Sequence, residues 1–393
     1  MAIFKEHKPK YSFVWTQTIA DIPQSAWDAL ALPLKTPFLE WHWLNNLEIS
    51  HSATANAGWL ANHLIVWRDR TLIAAAPLYL KGHSQGEFVF DHQWAELASR
   101  LGIEYYPKLL GMTPFTPAEG YRFLIASGEN EEEITALMLH EIDNFCVKHG
   151  ISGCHFLYVD PQWRPLLERQ GFTTWLHHSY IWGNTGFQTF DDYLTVFNAN
   201  QRLNIKRERK AVEKAGLKLQ ALTGEEIPNY LFPLMYDFYA DTCDKFGWWG
   251  SKYLTKQFFE QLYHNYRHRV VFFAAYHQED QDQRQPLGMS FCLFKDSQLY
   301  GRYWGSFQDI DCLHFDACYY APIEWAIAHG IQNFDPGAGG KHKKRRGFPA
   351  TPNYSLHRFY NHRLGQIILP WVREVNQLEQ KEMDAINAEL PFK

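Results

Sequence analysis

The chain has 393 residues, of which 46% are hydrophobic and 21% are charged, and its formal net charge at pH 7 is −5. This length predicts two domains, the composition is that of a globular protein, and the acidic balance argues against a general nucleic-acid binder. Basic side chains are instead concentrated at 202–214 and at 341–346. Local basic patches on an acidic protein favour selective capture of an anionic group.

The N-terminal residues, MAIFKEHKPK, lack the apolar core of a signal peptide. No apolar run approaches the roughly 18 residues that suggest a membrane span. The six cysteines form no Cys-x-x-Cys pair. We therefore expect a cytoplasmic protein with free thiols and without a membrane span.

Apolar segments separated by polar turns predict strands in the first half of the chain. The predicted strands are 63–67, 72–80 and 87–94, and after a helical stretch a further strand follows at 153–159. Each turn between the first three segments contains charged residues or Gly and Ser. The pattern indicates a sheet packed against helices.

A basic helix is predicted at 190–215, with Asp191 or Asp192 as its N-terminal cap and Gly216 as its end. Four cations recur at helical spacing and line one side of it: Arg202, Lys206, Arg209 and Lys210. This side either binds phosphate or is a solvated surface balanced by the glutamates of the same helix.

The second half repeats the plan of the first, roughly 200 residues later along the chain. Its predicted elements are strands at 270–276, 287–294 and 298–304, a helix at 315–329 and a strand at 331–334. The alternating Cys312, His314, Asp316 and Cys318 would share one face of a strand, but the predicted helix scatters them, so no metal is expected there. Each half is therefore predicted to be α+β, with a mostly antiparallel sheet flanked by helices.

A glycine-rich and basic segment follows the last of these strands. Gly337, Gly339 and Gly340 allow a close approach of the backbone to a ligand, and six basic or imidazole side chains come next at 341–346. Phe334 and Phe348 flank the segment, which favours a binding site over a solvated loop. A terminal amphipathic helix is predicted at 372–390.

Several sequence blocks resemble those of one known family. They include Ala-Ala-Pro-Leu-Tyr-Leu-Lys at 75–81, Glu-Phe-Val-Phe-Asp-His-Gln-Trp-Ala at 87–95, Tyr-Tyr-Pro-Lys-Leu at 105–109, Pro-Phe-Thr-Pro at 114–117, Tyr-Gly-Arg-Tyr-Trp-Gly at 300–305 and His-Phe-Asp-Ala-Cys-Tyr-Tyr at 314–320. The chain resembles the FemABX-like branch of the GNAT acyltransferases, and most closely the FemAB-like predicted N-acyltransferases of peptidoglycan biosynthesis or recognition.

This resemblance implies an α+β fold of two tandem GNAT-like domains with mixed, largely antiparallel sheets. The expected division is 1–180 and 181–366, followed by a helical tail at 367–393. Members of the family favour Gly-Ala-Gln-Gly-Glu-His-Lys where this chain has Gly-Ala-Gly-Gly-Lys-His-Lys at 337–343. The change of an acidic residue to Lys341 suggests a more anionic ligand.

The resemblance also implies an enzyme that transfers an acyl or aminoacyl group to an amine of an anionic acceptor, such as a cell-wall precursor. No CoA pyrophosphate loop is visible in either half, so the donor is either acyl-CoA or aminoacyl-tRNA. Charged tRNA is then a candidate partner, and no metal cofactor is expected. The alternative is a non-catalytic protein that recognises peptidoglycan precursors or RNA through the same cleft.

Acyl transfer needs a proton acceptor and an oxyanion stabiliser. Asp91 could orient His92 in a proton relay, or it could cap the next helix while His92 is a surface residue. The predicted catalytic candidates are Asp91, His92, Tyr106, His314 and Asp316. The predicted substrate-binding residues are Trp94, Lys108, Thr116, Arg302, Tyr303, Trp304, Tyr320, Gly337, Gly340, His342, Lys343, Arg345 and Arg346.

Overall fold

The computed structural model describes residues 11–247, 250–279 and 285–393. Residues 1–10, on which the expectation of no signal peptide rests, lie outside the described residues. Within the described ranges, no helix combines the length and the apolar character needed to cross a bilayer.

Fourteen helices and strands precede residue 181. In chain order they are β1 (Tyr11–Thr16), α1 (Gln24–Ala31), α2 (Trp41–Ile49), β2 (Trp59–Ala61), β3 (His63–Arg68), β4 (Thr71–Ala76), β5 (Leu78–Lys81), α3 (His92–Arg100), β6 (Lys108–Gly111), β7 (Leu124–Ile125), α4 (Glu131–Lys148), β8 (Gly153–Phe156), α5 (Arg164–Arg169) and β9 (Thr173–Tyr180).

The elements that follow, among the described residues, begin immediately after β9. They are β10 (Trp182–Gly183), α6 (Phe190–Thr195), α7 (Ala199–Lys214), β11 (Leu217–Thr223), α8 (Leu231–Lys245), α9 (Lys256–Asn265), β12 (Val270–His277), β13 (Gly288–Lys295), β14 (Gln298–Ser306), α10 (Leu313–Phe315), α11 (Ala321–Ala328), β15 (Asn333–Asp335), β16 (Ala350–Phe359) and α12 (His362–Ala388).

The strands form three sheets flanked by helices, which confirms the predicted α+β class. Their orders are β1-β3-β4-β7, β2-β5-β6-β8-β16-β9 and β10-β15-β14-β13-β12-β11. Neighbouring strands are antiparallel except for two parallel pairs, β6 with β8 and β14 with β15.

One strand from the second half of the chain belongs to a sheet of the first half. β16 comes from the second half of the sequence, yet it pairs with β8 and β9 in the sheet of the first half. The range 181–366 therefore does not coincide with one sheet, and the division at residue 180 stays a prediction. Side chains also pack across the halves: Nζ of Lys295 lies 2.8 Å from a carboxylate oxygen of Glu40, and the rings of Phe38 and Tyr300 are 5.0 Å apart.

In the first half, one predicted strand is divided in two and another is wrong. The segment 72–80 is interrupted at Pro77, which has no N–H to donate, so it forms β4 and β5 in different sheets. The segment 87–94 contains no strand, because Phe88 has a φ of +58° and the Glu87 and Asp91 carboxylates turn inward.

The predicted helix at 190–215 is two helices. Thr189 caps α6 through a capping box with Asp192, and Asn198 caps α7 by accepting a hydrogen bond from the backbone N–H of Gln201 at 3.0 Å. The predicted helix at 315–329 comprises α10, a π-helical turn and α11. The terminal helix α12 is longer than predicted, since it begins at His362 and continues through Pro370.

The parallel pair β14–β15 opens toward its C-terminal end. The pairing runs from Gln298 opposite Asn333 to Tyr300 opposite Asp335. Pro336 then removes a donor, and Gly337, with a φ of +93°, turns the chain away while β14 continues. Among the strands that the structure describes, none pairs with this edge of β14 beyond Tyr300.

Candidate functional site

A cavity of about 330 Å³ lies where β14 and the glycine-rich segment separate. Its walls are the second half of β14, the turn before α11 and the loop after Asp335. The structure brings seven predicted site residues together in its lining: Arg302, Tyr303, Trp304, His314, Gly340, His342 and Lys343. This cavity is the candidate site.

Arg302 has a buried nitrogen for which the described part of the chain offers no hydrogen-bond partner. The atom is Nη1, and the guanidinium carbon lies 5.6 Å from the centre of the Phe38 ring, among aromatic side chains. A buried cationic donor without a partner is costly, because its bonds to water are lost and not replaced. Arg302 is therefore suited to binding a carboxylate, a phosphate or a developing oxyanion.

Two histidines of the cavity are held neutral at pH 7. Burial, together with the neighbouring His342, Arg346 and Lys343, lowers the pKa of His314 to about 4. Burial and the same two cations also lower the pKa of His342. His342 Nε2 is hydrogen-bonded to the hydroxyl of Tyr319 at 2.8 Å. A neutral, oriented imidazole can accept a proton from an amine.

Lys343 holds the shape of the glycine-rich loop. It is 2% exposed, and its Nζ donates to the carbonyl oxygens of Gly337 at 2.6 Å and of Ala338 at 3.3 Å. Burial lowers the pKa of Lys343 to about 8. Gly337 accepts the Lys343 hydrogen bond and does not line the cavity. Gly340 does line it, with a φ of +91° that residues with a side chain rarely adopt. One lysine thus supplies both a loop anchor and positive potential.

Arg346 and Arg345, both predicted to bind substrate, are not among the residues that line the cavity. Arg346 is 3% exposed, and its Nη2 donates to Oε2 of Glu208 at 2.8 Å while its guanidinium lies 3.5 Å from the Phe315 ring centre. Tyr320 is also buried and donates its hydroxyl proton to the same Glu208 oxygen. Arg345 is exposed. The basic segment is thus partly an internal ion-pair element.

Asp316 lies in a different cavity from the histidines. Its carboxylate is 3.3 Å from Nε of Arg209, which also pairs with Glu324. Burial raises the pKa of Asp316 to about 6, against the opposing effect of Arg209. The basic face of α7 therefore partly pairs with acidic side chains of the fold.

A second cavity, of about 390 Å³, adjoins the candidate site and is lined by both halves of the chain. It shares Arg302, Tyr303 and Trp304 with the first cavity. Phe115 from the first half and Tyr253 from the second stack across it, with ring centres 5.0 Å apart. The two cavities form a cleft that is polar at Arg302 and aromatic at the junction of the halves.

The N-terminal candidates form a buried charge network outside this cleft. Nζ of Lys108, itself 1% exposed, donates to Glu87 Oε2 at 2.7 Å, to Ser84 Oγ at 2.9 Å and to Asp91. Tyr105 donates to Asp91 at 2.6 Å. Although burial raises the pKa of Asp91, Lys108 outweighs that effect and leaves the pKa below its ordinary value.

Neither Asp91 nor His92 forms the predicted relay, because Asp91 is buried against Lys108 whereas His92 is exposed at the start of α3. Trp94 is buried 4.7 Å from the Trp175 ring. Tyr106 bonds to Ser84 through its hydroxyl at 2.7 Å, and Thr116 donates to the carbonyl of Pro114. Oδ1 of Asp91 and Nε1 of Trp94 are buried without a hydrogen-bond partner among the described residues. None of these side chains lines the cleft, however, so the geometry gives no support for catalytic or binding roles there.

Sequence reasoning left several residues of this region out of the predicted site. Tyr319 and Cys318 line the cleft, and the buried Asp335 lies next to its mouth. Both residues lie within 315–329, which the sequence predicts as one continuous α-helix. The π-helical turn at Asp316–Tyr320 changes which side chains face the cavity, and no pattern in the sequence predicts it.

Comparisons with known proteins agree with this fold. The profile of a family described as FemAB-like, peptidoglycan biosynthesis/recognition, matches residues 18–393. No curated protein matches the chain in sequence.

The fold is similar to that of FemX, at 12% identity over 88% of this chain and 98% of FemX, with a TM-score of 0.54. L-PGS from Bacillus licheniformis is 10% identical over 87% of this chain and 98% of L-PGS, with a TM-score of 0.48. A tandem GNAT protein from the clavulanic acid biosynthesis pathway is 11% identical over 89% of this chain and 98% of that protein, with a TM-score of 0.42.

Proposed function

The chain belongs to the FemAB-like family of peptidoglycan biosynthesis and recognition, and we propose that it is an N-acyltransferase acting at the cleft beside Arg302. The observation that best supports this proposal is the buried, unpartnered Nη1 of Arg302 at the point where β14 and β15 separate. A preorganised donor in a site shielded from water stabilises developing negative charge more strongly than water does.

In the proposed reaction, the amine nitrogen of the acceptor attacks the carbonyl carbon of the acyl donor. A C–N bond forms, and the C–S bond of a thioester or the C–O bond of an aminoacyl ester breaks. The carbonyl oxygen takes up negative charge in the tetrahedral intermediate, where the Arg302 guanidinium stabilises it. The proton lost by the amine passes to the neutral imidazole of His342, and the resulting imidazolium then gives this proton to the departing sulfur or oxygen atom.

The edge of β14 is suited to the donor. Among the described residues, no strand pairs with β14 on the side of β15 beyond Tyr300. The backbone groups that face this side are therefore proposed to pair with an extended chain containing amides, although the carbonyl of Trp304 already accepts a hydrogen bond from Thr242 at 2.9 Å. Acyl-CoA has such a chain, and aminoacyl-tRNA offers an ester with a free amino group. Both donors remain candidates, and the adjoining aromatic cavity offers space for an apolar acyl group.

The acceptor is proposed to be anionic because the cleft has positive potential. Arg302 and Lys343 line it, and the pKa of Lys343, lowered by burial to about 8, leaves that side chain mostly charged at pH 7. A precursor of the cell wall is the acceptor class that the family description supports. Phosphate or carboxylate groups of such a precursor would bind at these two side chains.

The test is product formation by the purified protein. It is incubated with radiolabelled acyl-CoAs or with charged tRNA, together with pools of amine-bearing cell-wall precursors, and the label in the amide product is counted. Transfer of label from one donor class supports the proposal and identifies the donor. Binding of a precursor without transfer from either class would replace it with the non-catalytic recognition function.

A further inference from the structure

A third, separate groove lies between the halves of the chain, near the start of β14. Two adjoining cavities, of about 380 and 220 Å³, share Glu119, Gln298, Tyr300 and Asn333. Glu119 comes from the first half of the sequence and the other three from the second. Neither cavity includes Arg302 or His342, so the groove is distinct from the acyl-transfer cleft.

Carboxylates face this groove from both halves. Glu119 and Asp160 line the larger cavity, and Glu119 and Asp335 line the smaller. Arg122 balances Asp160, since its Nη1 lies 3.1 Å from the Asp160 carboxylate. Oδ1 of Asp335 accepts a hydrogen bond from the backbone N–H of Gly337 at 2.8 Å.

Glu119 is the acidic group that the fold leaves unbalanced. Among the residues that the structure describes, no ion pair or side-chain hydrogen bond is found for its carboxylate. Burial, together with the Asp160 and Asp335 carboxylates, raises the pKa of Glu119 to about 8. A positive charge entering the groove would reverse this effect.

Asn353 provides an independent indication of a ligand. It is 4% exposed, it lines the smaller cavity, and its Nδ2 donates to Ser179 Oγ at 2.7 Å. Its Oδ1 is buried and has no hydrogen-bond partner within residues 11–247, 250–279 and 285–393. An unpartnered buried acceptor requires a donor from a ligand or from water. The groove thus presents acceptors from Asn353, Glu119 and Asp335 to a ligand that donates hydrogen bonds.

We propose that this groove binds a primary ammonium group, with N–H donors directed to Glu119 and Asn353. A primary ammonium has three donors and one positive charge, which matches a lining that offers acceptors and an unbalanced carboxylate. The identity of this ammonium group rests on the proposed function: it is an amino group of the acceptor molecule. It binds in the groove, whereas the phosphate or carboxylate groups of the same acceptor bind at Arg302.

Binding has a measurable proton signature. The titratable and charged side chains facing Glu119 are Lys35, Arg122, Asp160, Tyr300 and Asp335. Because the pKa of Glu119 is raised to about 8, its carboxyl is mostly protonated at pH 7 in the empty groove. Ammonium binding lowers that pKa, so close to one proton is released to the buffer for each ligand bound.

The experiment is isothermal titration of the full chain with n-butylammonium chloride at pH 7. Two buffers of different ionisation enthalpy are used, neither of them a primary amine, so that the released protons can be counted. We expect saturable binding with proton release in the wild type. Glu119→Gln, which keeps the shape of the side chain, should weaken binding at least tenfold and abolish the release.

The controls separate this site from nonspecific attraction. Glu104→Gln, at an exposed position elsewhere, should bind like the wild type, and tetramethylammonium, which has the charge but no N–H donor, should bind at least tenfold more weakly. Equal binding by Glu119→Gln, equal binding of tetramethylammonium, or displacement of the probe by Ca²⁺ at far lower concentration would overturn the proposal.

The outcome is independent of the transfer assay, which detects an amide product. If butylammonium does not bind while label is still transferred, the groove proposal fails and the transferase proposal stands. If it binds as expected while no donor class gives a product, the transferase proposal and the acceptor role fail together, and the ammonium site remains.

Discussion

Arg346 and Glu208 are joined by a 2.8 Å hydrogen bond between Nη2 and Oε2, although 138 residues separate them in the sequence. Arg346 is 3% exposed, and Tyr320 donates a second hydrogen bond to the same glutamate oxygen. The pair fixes the basic segment to α7. A residue predicted from its sequence context to bind substrate therefore stabilises the wall of the cleft instead.

We predict that Arg346→Ala lowers the free energy of unfolding by about 3 kcal/mol, because it leaves the partly buried Glu208 carboxylate without its cation. Arg345→Ala, at the exposed neighbouring position, should change it by less than about 0.5 kcal/mol. Urea denaturation of the two variants beside the wild type measures both values. Equal stability of the two variants would contradict the structural role of Arg346.

The network around Lys108 gives a second stability prediction. Lys108→Met leaves the buried Glu87 and Asp91 carboxylates without their shared ammonium, which should cost about 3–5 kcal/mol at pH 7. Removing the cation raises the folded-state pKa values of both carboxyls. Below the unfolded-state pKa, both carboxyls are protonated in the folded and the unfolded variant. As the pH rises, the unfolded variant loses these protons more readily than the folded one, which lowers its free energy of unfolding. The loss of stability relative to the wild type should therefore be larger at pH 7 than at pH 5.

Thermal and urea denaturation at the two pH values test this prediction, with His92→Ala at the exposed neighbouring position as the control. A deficit for Lys108→Met that is the same at both pH values would show that lost packing, and not the unpaired carboxylates, causes it. A catalytic role for Asp91 would instead predict lost activity with unchanged stability.

Three histidines of the sheet β2-β5-β6-β8-β16-β9 should make the protein sensitive to acid: His155 and His357 are buried, and His177 is half-buried. Burial lowers the pKa of His155 to about 3, that of His177 to about 4, and that of His357 well below its ordinary value. Their folded-state pKa values lie below the unfolded ones, so the unfolded state binds more protons as the pH falls below about 6.5. Stability should fall from there to pH 4.

The slope contributed by each histidine approaches about 1.4 kcal/mol per pH unit. His177→Gln should reduce the total slope by about that amount, whereas His149→Gln, at an exposed position, should leave it unchanged. Urea denaturation between pH 4 and pH 7 measures the slopes. An unchanged slope in His177→Gln would mean that this histidine does not titrate on unfolding.

The hydrogen bond between Tyr319 and His342 is predicted to position the proton acceptor. Tyr319→Phe should lower kcat roughly tenfold, and His342→Gln up to about a hundredfold, with little change in stability. Because the pKa of His342 is lowered, the wild-type rate should be constant near pH 7 and decline only on acidification below 6.5. A pH–rate profile of His342→Gln that keeps the same acid limb would exclude this role.

The central strands of the sheet β10-β15-β14-β13-β12-β11 were predictable because each is a local apolar run between turns. β12, β13 and β14 lie within one or two residues of their predicted positions. The segment at 87–94 was not predictable in the same way, since its buried carboxylates depend on Lys108, 17 residues or more away. The insertion of β16 into the first-half sheet likewise depends on long-range pairing, which periodicity does not encode.

Part of the candidate site was predictable for a similar reason. Arg302, Tyr303 and Trp304 stand together on one strand, and the glycine cluster marks the turn beside them. The roles within the basic segment depend on partners remote in sequence. Lys343 folds back onto the loop carbonyls and Arg346 reaches α7, so charge alone could not separate ligand-binding side chains from structural ones.

Arg302 provides the most direct test of the proposed acyl transfer. Transfer of label from acyl-CoA or charged tRNA to amine-bearing precursors is measured for the wild type, for Arg302→Lys and for Arg302→Gln, after denaturation has established that all three fold equally well. We predict transfer by the wild type, a loss of about a hundredfold or more in Arg302→Gln, and partial activity in Arg302→Lys. Transfer by Arg302→Gln at the wild-type rate, or no transfer by the wild type from either donor class, would contradict the central claim.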